Sequence, residues 1–378
     1  MKLQTLNHSP ALGFSEPPDA SLDSAQTLVL MFGGAALIDA PQAIQQIVAA
    51  FPKSCLLGCS TSGEIFGTQI SDGTLAVAVA RFDRTTLKAA SSVITADSSF
   101  EAGQTLGRAL DGPGLRAVLI LSDGLQVNGS ELVRGVNSVL AASVAVTGGL
   151  AGDGDRFQRT WVMHGGSPQG GQVTAVGMYG EALRVGHGSK GGWDVFGVER
   201  TVTRAKANVL YELDGRPALA LYKEYLGERA SGLPATGLLF PLSLRAPGDD
   251  AKRLVRTILG VDEAAQSLTF AGDVPEGYFA QLMCANFDRL VQGAGEAALS
   301  ARQAEAGDSL MIAISCVGRR LVLGDHCEEE IEATSQVLAA GAKQVGFYSY
   351  GEISPFASGH CDLHNQTMTL TTLSEAAL

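Results

Sequence analysis

The chain has 378 residues, of which 46% are hydrophobic and 17% charged, so it has material for two or three compact units and lacks the composition of a disordered chain. Its formal net charge is −12 at pH 7, and an acidic chain without a basic run is a poor partner for nucleic acid or an anionic membrane surface. We find no apolar signal core, no membrane span and no framework spacing among the six cysteines, which favours reduced thiols in a cytoplasmic protein. Glycine accounts for 46 of the 378 residues, a larger share than the average of about 7%, and this excess predicts many tight turns.

Strand and helix patterns recur along the chain in one order. Residues 1–26 are polar and contain Pro17 and Pro18, which predicts an irregular segment. Short apolar runs typical of buried strands then alternate with stretches of helical apolar spacing. We predict strand 27–32, helix 41–50 and strands 55–59 and 74–82; strand 117–121, helix 131–142, strand 144–146 and a hairpin of 161–163 with 173–179; and strand 310–315, helix 328–340 and strands 345–348 and 367–373.

The stretch 181–308 separates the second and third of these modules. Its pattern predicts shorter elements and an alanine-rich helix broken near Gly293 and Gly295. The predicted segments are a loop at 186–192, strand 202–213, helix 216–226, short strands 233–241, 254–259 and 267–271, and helix 286–305.

One motif links the first and third modules. Residues 58–65 and 346–353 both read G-x4-G-E-I at the end of an apolar strand, and residues 148–153 are a degenerate copy. Duplicated units of this kind predict an α/β fold with mixed sheets built from strand-helix-strand-strand modules. We expect helices on the outer faces and two halves with a cleft between them, since ligand pockets favour such interfaces.

Catalytic and nucleotide motifs are missing from the sequence. Residues 186–191 satisfy G-x-G-x-x-G, but no helix pattern follows to receive a pyrophosphate. The chain has no P-loop, no G-x-S-x-G elbow, no H-E-x-x-H and no C-x-x-C. We therefore do not expect an enzyme.

Two histidines are candidate ligands of a metal or cofactor. His187 lies between two glycines, with Trp193 and Phe196 nearby; this pattern suits a haem-iron ligand beside aromatic packing, and equally a surface turn. His364 follows His360 in an extended segment, where hydrogen bonding near a strand end is the simpler interpretation. A zinc site is a further alternative, formed by His326, Cys327, His360 and Cys361.

The repeated motif supplies a candidate ligand pocket. Glu64 and Glu352 occupy matching positions, and two carboxylates facing one cleft can do acid–base work. The structural alternative is that each caps a neighbouring backbone amide. Ser60 and Ser349 would line the same pocket as hydrogen-bond donors, without a histidine in register to make either a nucleophile.

From about residue 27 to 373 the chain resembles the FIST sensory proteins. The resemblance rests on residues 58–65 (GCSTSGEI), 202–215 ending in YELDG, 346–353 (GFYSYGEI) and 363–365 (LHN), in the family's order. It implies an N-terminal FIST domain at 27–220 and a C-terminal FIST domain at 221–378.

Residues 315–324 and the Gly186-His187-Gly188 segment are most similar to the family's stand-alone haem proteins that sense nitric oxide, the NosP group. This closer resemblance implies haem b, binding of nitric oxide or another diatomic gas at iron, and control of a separate histidine kinase in cyclic-di-GMP and biofilm signalling. His187 is our first choice for the iron ligand and His364 the second. The alternative is a haem-free sensor of a small molecule such as an amino acid, and a homo-oligomer stays open.

Overall fold

Three β-sheets with the same strand order form the body of the protein. The computed structural model describes residues 1–248, 253–303, 308–339, 341–355 and 359–376. Each sheet is built around one module of the chain. Along the chain, the elements of a module are an edge strand, a first inner strand, a helix, a second inner strand parallel to the first, a hairpin and a last strand. In the second and third modules a helix also follows the edge strand. The predicted mixed α/β architecture of repeated modules is confirmed.

The first module occupies the N-terminal part of the chain. Its inner strand carries the run TLVLMFGG, which is buried over its whole length, as expected for a strand covered on both faces. Its elements are β1 (Lys2–Ser9), β2 (Gly13–Phe14), β3 (Thr27–Gly34), α1 (Gln42–Ala50), β4 (Cys55–Thr61), β5 (Glu64–Phe66), β6 (Gln69–Ser71) and β7 (Leu75–Arg81).

The second module repeats this order with a helix after its edge strand. Asn128 caps its second helix by accepting the amide of Glu131, the usual role of asparagine at a helix N-terminus. Its elements are β8 (Thr86–Val93), α2 (Ser99–Leu110), β9 (Leu115–Ser122), α3 (Gly129–Asn137), β10 (Ala145–Leu150), β11 (Val162–His164), β12 (Ser167–Gln169) and β13 (Gln172–Tyr179).

The third module is interrupted after its edge strand by a separate sheet, which we call the insert. The edge strand is β14 (Leu183–Lys190). The insert comprises β15 (Asp194–Lys206), β16 (Val209–Leu213), β17 (Arg216–Pro217), α4 (Ala218–Leu226), β18 (Leu242–Arg245), β19 (Leu254–Arg256), β20 (Ile258–Asp262), β21 (Ser267–Phe270) and β22 (Phe279–Cys284). The module then continues with α5 (Phe287–Ala301), β23 (Ser309–Cys316), α6 (Val317–Leu323), α7 (Cys327–Ser335), β24 (Ala342–Ser349), β25 (Gly351–Pro355), β26 (Cys361–His364) and β27 (Met368–Glu375).

Every module gives its hairpin to another module's sheet. The first module's β5 pairs with β24 of the third, the second module's β11 with β4 of the first, and the third module's β25 with β10 of the second. The exchange closes a ring, so each of the three sheets is completed by a neighbour. The orders are β12-β11-β4-β3-β7-β1-β2, β26-β25-β10-β9-β13-β8 and β6-β5-β24-β23-β27-β14.

One apolar core is shared by all three sheets. It contains Phe32 of the first module, Leu121 of the second and Phe347 of the third, and the rings of Phe32 and Phe347 stack with centroids 4.8 Å apart. The helices cover the opposite faces in separate clusters, α1 on the first sheet, α2 and α3 on the second, and α5 and α7 on the third. The insert has a core of its own.

The packing of α5 on β14 explains two glycines and corrects two predictions. A Cβ added at Gly186 or Gly188 would overlap the carbonyl oxygens of Ala301 and Ala297, so β14 touches the helix backbone directly. Residues 186–190 are therefore paired strand and not a loop. Helix α5 is unbroken through both of its internal glycines.

Other sequence predictions are wrong in type or in bounds. The segment 1–26 is not irregular throughout, because Lys2–Ser9 pairs along the last strand of the first module. The run 161–163 forms no hairpin with 173–179, because its hairpin partner is β12 and it pairs with β4 in the neighbouring sheet. The stretch 233–241 contains a 3-10 helix, Ala235–Leu239, instead of a strand. The predicted helix over 328–340 ends earlier, since α7 stops at Ser335; residue 340 lies outside the described residues.

Replacing a packed glycine of β14 will cost stability. We expect Gly186→Ala to lower the free energy of unfolding by about 1–3 kcal/mol, because its methyl group forces strand and helix apart. The matched control is Gly295→Ala in α5, where the added Cβ lies 3.7 Å from its nearest neighbour and the gain in helix propensity is up to about 1 kcal/mol. Urea unfolding measures both, and an unchanged midpoint for Gly186→Ala would contradict this packing.

Candidate functional site

The second parallel strands of the three modules end at one point, which three backbone hydrogen bonds define. The Ser62 amide donates to the Tyr348 carbonyl at 2.8 Å, the Gly152 amide to the Ser60 carbonyl at 3.0 Å, and the Tyr350 amide to the Leu150 carbonyl at 3.2 Å. Each bond joins a residue one or two positions beyond one strand to the equivalent strand of another module. This ring, which we call the central triangle, brings the carboxyl ends of three sheets together, the place where α/β folds bind ligands.

The glutamates of the repeated motif make matching contacts. Glu64 accepts the Thr61 hydroxyl on one oxygen, and on the other the amide and hydroxyl of Thr74, both at 2.8 Å. Glu352 accepts the Ser349 hydroxyl at 2.6 Å, and the amide and hydroxyl of Thr367 at 3.3 and 2.8 Å. Both carboxyl groups are buried, and each caps the residue before the last strand of its module. The contacts match the structural alternative of the sequence analysis.

The serines of the predicted pocket are also held in the framework. The Ser60 hydroxyl accepts the Trp161 amide at 3.0 Å, and the Ser349 hydroxyl is committed to Glu352. Both side chains are fully buried. Of the four predicted pocket residues, only Glu64 lines one of the clefts described here.

A cleft opens beside the central triangle, and all three modules line it. It consists of two adjoining hollows of about 820 and 780 Å³, which share Asp72, Gly154 and Arg156. We call it the central cleft. Its other polar and charged lining residues are Ser62, Asp155, Arg320, Asp325, Cys327 and Glu328 in one hollow, and Thr61, Glu64, Asp153, Gln158 and Arg159 in the other.

A bidentate ion pair crosses the central cleft. The Nη1 and Nη2 atoms of Arg320 each lie 2.7 Å from a carboxylate oxygen of Asp72. One of them also donates to the Ser62 carbonyl at 2.6 Å. Hydrogen bonding from Arg320 lowers the pKa of Asp72, so this carboxylate is charged at neutral pH. The pair ties the third module to the hairpin received from the first.

Asp153 organises the loop that forms one wall of the cleft. Its carboxylate accepts the amides of Phe157, Gln158 and Arg159, each at 2.9 Å, and the Tyr350 hydroxyl. Burial acts to raise the pKa of Asp153, but these hydrogen bonds outweigh it and the pKa is lowered. The loop is thus held by a permanent anion.

Arg156 projects from this loop into the cleft, where its charge helps to lower the pKa of Asp72. It lines both hollows, it is exposed, and within the described part of the chain it has no hydrogen bond or ion pair. Sequence reasoning missed Asp72, Asp153, Arg156 and Arg320. A signal was present in the run Gly152-Asp153-Gly154-Asp155-Arg156, which places one charge at the end of the degenerate motif and two just beyond it.

The structure does not bring the proposed haem residues into one pocket. His187 lies on the same face of β14 as Leu183 and Val185, which pack in the shared core. Trp193 is buried between the insert and α6, with its indole N–H donating to the Gln366 carbonyl at 2.7 Å. Phe196 packs in the core of the insert.

His364 is the other proposed iron ligand, and its ring is already engaged. The side chain is buried in β26, and its Nε2 lies 2.9 Å from the Ser354 carbonyl, to which it donates. None of His187, His364, Trp193 and Phe196 lines the clefts described here. As a set, these four residues do not fit a haem.

His187 differs from the other three by having no partner. Its ring makes no hydrogen bond among the described residues, and burial lowers the pKa of this half-buried imidazole. The ring is therefore neutral at pH 7. Its flanking glycines are explained by the contact with α5 and need no flat ligand.

The zinc alternative finds no support in the described residues, which contain no group of three or more metal-ligating side chains. His326 is exposed and contacts Glu329. Cys361 is buried in the sheet of the second module, where its thiol contacts Asn137. All six cysteines are free thiols. No described helix has the length and apolar character needed to cross a membrane.

Burial of Glu64 makes protein stability depend on pH. Its pKa is raised from 4.5 to about 7 by desolvation. Between these values the folded protein keeps a proton that the unfolded chain releases, so this contribution is complete below pH 4.5 and is lost as the pH rises to about 7. The amide of Glu64→Gln can donate to Thr61 and accept from Thr74. We expect this variant to lose at most about 3 kcal/mol less of its free energy of unfolding over this pH range than the unmodified protein.

Urea unfolding at a series of pH values tests this prediction. The matched control is Glu101→Gln on the exposed face of α2, which should keep the slope of the unmodified protein. Parallel pH profiles for Glu64→Gln and the unmodified protein would contradict a protonated buried Glu64.

Comparison with known proteins identifies the family. The model of the FIST N domain matches residues 27–216, and that of the FIST C domain matches residues 218–355. Among solved structures, the chain is similar to a cyanuric acid hydrolase from A. caulinodans at 10% identity, covering 100% of this chain and 99% of that one, with a TM-score of 0.39. No curated protein matches. The chain belongs to the FIST family of sensory domains, which bind small ligands in signal transduction.

Proposed function

We propose that this protein is a haem-free sensor of a small zwitterion such as an amino acid, bound in the central cleft. The observation that carries the proposal is Arg156, a cation that makes no hydrogen bond or ion pair among the described residues and lies in a cleft lined by all three modules. A guanidinium is the side chain best suited to hold a carboxylate, through paired charge-assisted hydrogen bonds.

The rest of the lining supplies the opposite charge. Asp155 lines one hollow and its side chain makes no hydrogen bond or ion pair in the described chain, and the charged Asp72 is shared by both hollows. A ligand ammonium beside these carboxylates and a ligand carboxylate on Arg156 would compensate each other without a net change in charge. The volume of each hollow lies in the range of ordinary ligand sites.

Ligand binding would act on the contacts between modules. Arg320 holds Asp72 and the Ser62 carbonyl across the cleft, so a ligand that engages Asp72 competes with this bridge. Ligand binding would then shift the third module relative to the hairpin of the first, and this movement would transmit the signal away from the cleft. We propose that a separate histidine kinase receives it, as the resemblance to the nitric-oxide-sensing group implies.

Loss of the Arg156 charge should weaken ligand binding. A thermal-shift screen of the twenty amino acids, followed by calorimetry, identifies the ligand, and we expect Arg156→Gln to raise its dissociation constant about ten- to a hundredfold. The matched control is Arg204→Gln, which removes an exposed arginine paired with Glu212 in the insert and should leave the affinity unchanged. The proposal fails if no amino acid binds, or if Arg156→Gln binds as tightly as the unmodified protein.

A second candidate is a haem sensor of nitric oxide that uses His187. The supporting observation is that this half-buried imidazole is neutral and unpartnered among the described residues, the state in which histidine binds iron. Bound haem would supply an open iron position for a diatomic gas. Trp193 and Phe196 contribute nothing to this version, because both are packed elsewhere.

Haem titration followed by visible absorption separates the two candidates. On the haem proposal, the unmodified protein gives a saturable Soret band that His187→Ala abolishes and His164→Ala, on β11, retains. His364→Ala tests the other predicted ligand in the same assay. A protein that takes up no haem, or that binds it equally well as His187→Ala, contradicts this candidate and leaves the central cleft as the sensory site.

A further inference from the structure

A second cavity lies between the middle module and the insert, away from the central cleft. It has a volume of about 490 Å³. Ser130 and Glu131 of the first turn of α3 line one side, and Arg256 and Tyr278 of the insert line the other. The cavity therefore spans the junction between a module matched by the FIST N domain and a sheet matched mainly by the FIST C domain.

Among the described residues, Arg256 is a buried cation with no carboxylate at ion-pair distance, and Asp362 and Asp273 act on its charge through space. It is 3% exposed, and its hydrogen bonds go to backbone carbonyls, from Nε to Asp273 at 2.9 Å and from Nη1 to Val255 at 3.1 Å and Leu363 at 3.2 Å. Among the described residues no carboxylate forms an ion pair with it, and its Nη2 has no hydrogen bond. These carbonyls and the two carboxylates offset much of the cost of burying the charge, and Nη2 is the donor that they leave for a ligand.

Further donors face the same cavity. The first turn of α3 presents the positive end of its dipole. The Ser130 oxygen accepts the Asp273 amide at 3.4 Å, which leaves its hydroxyl hydrogen available, and the Tyr278 hydroxyl makes no hydrogen bond in the described chain. A guanidinium N–H, two hydroxyl groups and a helix N-terminus together form a set of donors for an oxyanion.

Carboxylates in the lining limit the charge of that oxyanion. Glu131 is paired with Arg134, and Asp273 accepts the Asn128 amide group at 3.1 Å. Asp362 also lines the cavity. These three anions would repel a dianion more than a monoanion.

We infer that this cavity binds a small monovalent oxyanion, such as the carboxylate of an organic acid, on Arg256. The bound group accepts from Nη2 of Arg256 and from the hydroxyls of Ser130 and Tyr278. It is a site separate from the central cleft, and it links the insert to the middle module.

Titration of the full chain, labelled with ¹⁵N, tests this inference with acetate and inorganic phosphate as probes at constant ionic strength and about pH 8. We expect acetate to shift the amide resonances of Ser130 and Asp273 saturably, and phosphate, mostly a dianion at this pH, to bind more weakly. Tyr278→Phe and Ser130→Ala each remove one donor and should raise the acetate dissociation constant about three- to tenfold. Arg256→Lys should weaken binding further.

A control variant keeps the result specific. Arg156→Gln, in the central cleft, should leave acetate binding at Ser130 and Asp273 unchanged, so failure of the proposed function does not affect this test. If Arg256→Lys fails to fold, the two hydroxyl variants still decide the outcome. The inference is overturned if acetate gives no saturable shift, if both hydroxyl variants bind acetate normally, or if phosphate binds more tightly than acetate.

Discussion

The central triangle is the constraint from which the arrangement of the modules follows. Three backbone hydrogen bonds join Ser62 to Tyr348, Gly152 to Ser60, and Tyr350 to Leu150, each from one module to the next. The ring works together with the hairpin exchange, because each hairpin follows one of these bonds, directly in the first and third modules and after a loop in the second, and enters the sheet of another module. No sheet is complete without its neighbour, so the shared apolar core beneath them forms as one unit.

The three modules depart from symmetry where a ligand could bind. In the first and third modules, a glutamate beyond the strand closes back onto a threonine. In the second, Asp123 caps the equivalent amide, that of Gly171, at 2.9 Å, and the residues that follow Gly152 are free to form the loop of Asp153 and Arg156. Near Glu352 the surroundings are closed instead, because Gln366 contacts Leu238 of the insert.

Much of the fold was predictable from the sequence, because its signals are local. Apolar runs identify β3, β9 and β23, and the G-x4-G-E-I repeat identifies equivalent strand ends. The hairpin exchange was not predictable, since pairing across modules leaves no mark on local periodicity. The polar β1 was missed because it lies near the edge of its sheet, with only the two-residue β2 outside it, and lacks the apolar run that identifies an inner strand.

The site was harder to predict than the fold. Gly-His-Gly at 186–188 suggested a ligand approach, but glycine serves equally where a helix backbone touches a strand, and only the position of α5 decides between these uses. Conversely, Arg156 and Asp155 carry no motif. Their significance depends on which charges lack partners, and pairing such as that of Arg320 with Asp72 joins residues far apart in the chain.

A crystal structure of the protein with its tightest-binding amino acid tests the central claim most directly. Our account predicts ligand density in the central cleft, with the ligand carboxylate on the guanidinium of Arg156 and its ammonium group beside Asp155 or Asp72. Density for the ligand elsewhere, with Arg156 still unpartnered, would contradict it.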